Sequence, residues 1–274
     1  MKLAVALHLF NFNLLDELHT YLHNLTKAGY RYDVYVAVPL GSDITQLRKY
    51  WPHATVAIHE NRGFDIASFF SLCRLILDRK YDFVLKLHTK SDDVWRKSLI
   101  SPLLGTPQLA RTALDCFKNP RVGMVGSKQW VISIGEDWGI YQHHITEICN
   151  FWKVSPVPCQ FIGGTVFWVR WSLFENLLKK VDLQTVVAST NDENTLDWSW
   201  YLLHYNDLRM AGIDTEEKAH IHWKKHGKEE GRACNVLYGR KHDIPIWIDG
   251  MIEHSYERFF GLLVTHGGQS VMGV

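Results

Sequence analysis

Lys86, His88 and Lys90 stand at alternate positions in YDFVLKLHTKSDD, residues 81–93, an apolar run that ends abruptly in polar residues. Alternation along a strand puts Lys86 and His88 on one face, among apolar neighbours, where an unmatched cation is costly. A bound diphosphate would supply the missing charge to Lys86, His88 and Lys90. The plainer alternative is a loop of solvated charge. Asp92 and Asp93 follow directly, and their hard oxygens suit Mg²⁺ or Mn²⁺. A second cluster, Asn61-Arg62-Gly63-Phe64-Asp65, joins a glycine turn to a guanidinium and a carboxylate. Gly63 would let backbone approach a ligand closely. Arg62 would contact phosphate or ribose and Asp65 base or ribose; otherwise Asp65 is a first-turn carboxylate matching the helix macrodipole.

Two further groups lie late in the chain. Gly163-Gly164-Thr165 precedes Phe167 and Trp168, and reads either as a packing turn or as an acceptor edge formed by Gly164, Thr165 and Trp168. Asp249, before a glycine at a helix start, is the candidate general base for an inverting transfer, where a carboxylate must take the proton of the attacking hydroxyl. His254 would reach the departing diphosphate or serve the core, and Glu257 and Arg258 read as a cap or ion pair. Asp192, Glu193 and Asp197 are reserve bases. His220, His222 and His226 have metal-like spacing, but Lys and Glu crowd them and a solvated basic loop is the better reading.

The elements that must position these residues follow from periodicity. Strands are expected at residues 2–10, 32–39, 54–60, 81–88, 122–127 and within 159–171, and helices at 14–25, 43–51, 65–79, 106–119, 172–181 and near the C-terminus. Repeated strand–helix units imply an α/β, Rossmann-type fold, a mainly parallel central sheet with helices on both faces and ligands beyond the strands' carboxyl ends. The order of parts fits a GT-A-like nucleotide-sugar transferase. One domain, 1–274, is expected: a donor half at 1–130, an acceptor and catalytic half at 131–183 and 244–274, and an inserted helical or loop subdomain at 184–243.

Composition bounds the rest. With 274 residues and 46% of them AVILMFWYC, one large core is natural, and a net charge of +1 argues against a dedicated nucleic-acid binder. Five cysteines without a CxxC pair read as free thiols of a reducing compartment. The opening apolar run is short, broken by His8 and without a cleavage site, so it reads as a strand and not a signal peptide. No run approaches the ~18–20 apolar residues of a membrane span. A cytoplasmic location is expected.

Several motifs together carry a resemblance. HENRGFDIASFF, YDFVLKLHTKS, WRKSLISPLLG, VGMVGS, FIGGTVFWVR and the closing IDGMIEHSYERFFG occur in order. The chain resembles the rhamnan synthesis protein F family, glycosyltransferase-like proteins of bacterial polysaccharide and O-antigen assembly, over roughly residues 1–183 and 245–265. The closing motif matches at Asp249, Gly250, His254, Glu257 and Arg258, whereas Met251 and Ile252 replace small residues and 184–243 lacks a counterpart. The resemblance implies a hexosyl- or deoxyhexosyltransferase that takes a UDP-, GDP- or dTDP-sugar to a glycan acceptor, with further domains of a larger synthase as partners. Lysines in place of the Asp-x-Asp common in sugar transferases keep open a silent carbohydrate-binding or scaffold domain, and His88 with the nearby aspartates keeps open a nucleotide-sugar or phosphoester hydrolase.

Overall fold

A computed structural model describes residues 1–60 and 62–274. Asn61, expected at the nucleotide pocket, lies outside the described residues. A seven-stranded sheet forms the centre, built from β1 (Leu3–His8), β2 (Tyr32–Pro39), β3 (Thr55–His59), β4 (Phe83–His88), β5 (Val122–Gly126), β8 (Phe167–Arg170) and β9 (Ser270–Gly273). Its order is β3-β2-β1-β4-β8-β5-β9. All neighbours run parallel except β8, which is antiparallel to both β4 and β5. A separate antiparallel pair, β6 (Val131–Ile134) and β7 (Cys159–Ile162), stands beside it.

Both faces are covered, because β1, β2 and β4 are apolar on each side. Leu3, Val5, Leu7, Leu85 and Trp168 meet α1 (Leu15–Lys27), α4 (Asp93–Leu104) and α5 (Pro107–Asp115) on one face. Ala4, Ala6, Val84, Phe167 and Val169 meet α3 (Phe64–Ile76), α6 (Gln142–Trp152), α7 (Trp171–Leu178) and α13 (Ile252–His266) on the other. The remaining helices are α2 (Thr45–Tyr50), α8 (Leu183–Ala188), α9 (Trp198–His204), α10 (Asn206–Met210), α11 (Glu216–His222) and α12 (Val236–Lys241). Most of the 184–243 stretch gathers around its own core of Trp200, Tyr201, Leu208, Trp223 and Val236. The mixed α/β class and largely parallel sheet agree with the sequence. Three short strands were not expected: β6, β7 as a strand separate from β8, and β9.

The strand order reverses between β1 and β4, since β2 and β3 build to one side of β1 and β4 to the other. Such a switch point opens a crevice at the carboxyl ends of the strands. His8 and His88 face each other in register there. Because β8 runs backwards, its amino end, with Gly164 and Thr165 before it, arrives at the same edge. No helix among the described residues is long and apolar enough to cross a membrane.

Candidate functional site

The centre of the crevice is an ion pair. Lys86 is 1% exposed, and its Nζ meets Asp65 Oδ2, donates to Thr165 Oγ1 at 2.7 Å and lies 3.3 Å from Thr165 O. Thr165 Oγ1 also donates to Asp65 at 2.6 Å. Burial pushes the Asp65 carboxyl upward, but the Lys86 and His88 charges and the hydrogen bonds from Lys86 and Thr165 outweigh it and hold the group well below the usual range. The counter-charge of Lys86 is therefore Asp65, so its burial does not by itself call for a ligand anion.

Around this pair stand imidazoles and one accessible ammonium. His88 Nε2 donates to Gly164 O at 2.7 Å, and burial lowers its pKa. Burial pulls His8 down to about 3 and lowers His59, whose ring is 5.6 Å from that of His8. His8 Nε2 is buried with no hydrogen-bond partner among the described residues. Lys90 is half-buried, sits 3.1 Å above the Trp95 ring, and is lowered by burial. Sequence does not point to His8 as a site residue; its one signal is a lone polar residue that interrupts the first apolar run.

The polar chain continues into the second half of the sequence. Glu257 Oε1 accepts the Gly164 N–H at 2.5 Å, and burial pushes this carboxyl up. Arg258 Nη1 is 3.4 Å from Glu257, and its guanidinium lies 3.5 Å over the Tyr141 ring. The Tyr141 hydroxyl donates to Asp249 Oδ1, His254 Nδ1 lies 3.0 Å from the same oxygen, and Gly250 N–H donates to it at 3.0 Å. The His254 contact, opposed by burial and aided by Tyr141, holds Asp249 well below the usual carboxylate range. Asp65, Lys86, His88, Gly164, Thr165, Glu257, Arg258, His254 and Asp249 thus form one connected polar path. Sequence gave no sign of Tyr141, which sits between elements without periodicity.

Other expected site residues are engaged elsewhere. Arg62 donates to Ala188 O at 3.0 Å and Thr190 O at 2.5 Å and pairs with Asp192, so its charge is matched within the chain. Gly63 caps α3 at φ +56°, and a Cβ there would collide with Thr190 and Ala67; the close approach is by the protein's own loop. Trp168 corrects the acceptor expectation: it is 0% exposed, packed opposite Phe167 across the sheet, and no ligand can reach it. Asp92 caps α4 by accepting Trp95 N–H at 2.8 Å, while Asp93 pairs with Arg96 at 2.7 Å and Lys97 at 2.9 Å. Helix capping and two cations take three of the four oxygens, and Asp92 Oδ2 alone has no partner among the described residues, a poor fit to Mn²⁺ or Mg²⁺. Among the described residues no three His, Cys, Asp or Glu side chains converge as a metal site, His220, His222 and His226 included.

The reserve bases are structural as well. Asp192 pairs with Arg62, and Glu193 with Lys241 at 2.7 Å. Asp197 is 5% exposed, 3.1 Å from His144 Nε2, accepts Asn191 Nδ2–H at 2.9 Å, and caps α9. Asn191 also binds Glu253 through N–H at 2.7 Å and Nδ2–H at 3.2 Å. Burial pushes Glu253 up to about 7.

The strand ends of the α/β sheet thus gather a polar path from both halves of the chain. Comparison goes further: the profile of the rhamnan synthesis protein F family matches residues 1–198, and the chain belongs to that family. This ties it to polysaccharide synthesis. Two similar proteins, both carrying the name Uncharacterized protein WxcX, come from Xanthomonas campestris pv. campestris strains B100 and ATCC 33913. Each is 25% identical over 281 residues, covering 99% of this chain and 32% of the relative. The chain thus spans about a third of the length of these relatives. The alignment also runs through 184–243, the segment for which no counterpart was expected.

Proposed function

We propose that this domain is a glycosyltransferase of GT-A type that moves a sugar from a nucleotide-diphosphate donor to a carbohydrate acceptor. The observation that carries this is the single polar path joining the β1/β4 switch point to Asp249. A parallel donor half, a strand end with His88 and Lys90, a reversed strand after Gly164-Thr165, and a carboxylate at a late helix start follow the order such enzymes require. The diphosphate lies against Lys90 and the imidazoles of His8 and His88. Asp249 receives the acceptor proton if the reaction inverts. Glu257 is a second reading for the base, because burial raises it toward the pH at which a base works best, whereas Asp249 is held low.

The test is calorimetry of UDP, GDP and dTDP binding to the protein and to Lys90→Ala. One nucleotide binds, and the variant weakens it by about 10- to 100-fold, the worth of roughly 1.5–3 kcal/mol for a hydrogen bond to a charged group. Transfer with a panel of nucleotide sugars persists in EDTA. If no nucleotide binds, the proposal fails; binding without any transfer favours the silent carbohydrate-binding domain.

A further inference from the structure

Beside Asp249 lies an open cavity of about 410 Å³ that no expected site residue except Asp249 helped to locate. The β6–β7 pair and the 135–141 loop form its walls, with Ile132, Ile134, Trp138 and Tyr141 on the apolar side and Asp249 and Arg258 on the polar side. The volume falls in the range of roughly 300–1,000 Å³ typical of small-ligand sites. The three hydrogen-bonding or charged contacts to Asp249 from Tyr141, His254 and Gly250 all fall on Oδ1. No donor among the described residues reaches Oδ2. Arg258 shows the complementary shortage, since its hydrogen bonds, to His254 O and Glu257, are both made through Nη1 and none among the described residues through Nη2. A ligand that completes this wall offers a hydroxyl donor to one side and an oxygen acceptor to the other, with an apolar face against the isoleucines.

Charge selects among ligands of that shape. The charged lining residues are Asp137, Asp249 and Arg258, and Glu257 already stands 3.4 Å from Arg258. A diphosphate entering here would be repelled by the excess of carboxylate over guanidinium, whereas a neutral polyol carries no charge to repel. We infer that this cavity is the acceptor site and that it holds a sugar ring at the end of a neutral glycan. It replaces the edge at Gly164 and Trp168 as the acceptor wall. The inference rests on the transferase reading only for the word acceptor; the carbohydrate chemistry stands on the cavity.

Isoleucine methyl NMR of the whole chain separates the two sites in one experiment. Ile132, Ile134 and Ile140 line the cavity, while Ile66 adjoins Asp65 at the nucleotide end. The probes are the methyl glycosides of glucose, galactose, mannose and rhamnose, and separately UDP, GDP and dTDP. At least one glycoside shifts the cavity methyls saturably and leaves Ile66 unmoved. Ile132→Arg, at a position 40% exposed, weakens that response at Ile134 and Ile140 by about tenfold or more, about 1.4 kcal/mol, without altering the nucleotide response. Cavity methyls that ignore every glycoside, that follow a nucleotide instead, or that respond unchanged in Ile132→Arg overturn the assignment. Glycoside binding with Ile66 silent to all nucleotides would sink the transferase reading and leave the carbohydrate site standing.

Discussion

Lys86 and Asp65 are 21 positions apart; Lys86 was legible as a cation too costly to leave unmatched, and Asp65 as a ligand contact or a first-turn carboxylate. What the sequence could not show is that they match each other, because the register that brings the α3 start over the end of β4 is a tertiary fact. The pairing changes what a substitution reports. Asp65→Ala, which reads from sequence as a probe of donor binding in a folded protein, strands a buried ammonium. It should cost about 3–5 kcal/mol in urea unfolding, and Asp65→Ala with Lys86→Met should recover most of that. A single variant as stable as the parent would show that Lys86 finds another partner. Asp249 was legible from its motif, but its Tyr141 and His254 contacts were not. Asp249→Asn keeps the shape and should lower transfer by about 10²–10⁴-fold with donor affinity unchanged. If that variant transfers normally while Glu257→Gln does not, the base is Glu257.

At the scale of elements, local chemistry reads well and direction does not. A threonine directly before Pro107 is a legible helix cap, and Thr106 Oγ1 accepts Leu109 N–H at 3.1 Å. By contrast, a strand buried on both faces has the same apolar pattern whichever way it runs, so the reversal of β8 left no trace. The four-residue strands β6, β7 and β9 are too short for alternation to declare them. The junction of α6, α9 and α13 holds Glu253, His144 and Asp197 together through Asn191, and its pH response has a definite sign. Glu253 titrates near 7 when folded against 4.5 ordinarily, so the native state holds the extra proton and stability falls as pH rises across that interval. Burial opposes protonation of His144, but Asp197 outweighs it and raises the group; its contribution is full below about 6.5 and is lost as pH rises through its folded value. Both act in one direction. Urea unfolding should show a loss on the order of 2–4 kcal/mol between about pH 4.5 and 7, flattened in Glu253→Gln. A profile that is flat in the parent would remove this junction as its source.

For the molecule as a whole, the α/β class and the covered sheet followed from alternating periods, while the late-chain contributions did not, since they join residues far apart in sequence. β9 pairs with β5, and Val271 is 8% exposed. Removing residues 269–274 should cost roughly 2–4 kcal/mol through Val271 and the lost ladder, and leave a β5 edge prone to association. Urea unfolding and light scattering would measure both; a stable monomer would show that β9 is dispensable. The reversed strand between β4 and β5 has a further consequence, for synthesis. A chain leaving the ribosome can pair β1 through β4 early, yet β4 keeps a bare apolar edge until Phe167–Arg170 has emerged. Glu257 and Arg258 arrive later still, so the nascent domain passes through a long sticky interval in which chaperones can hold it before the polar path is complete.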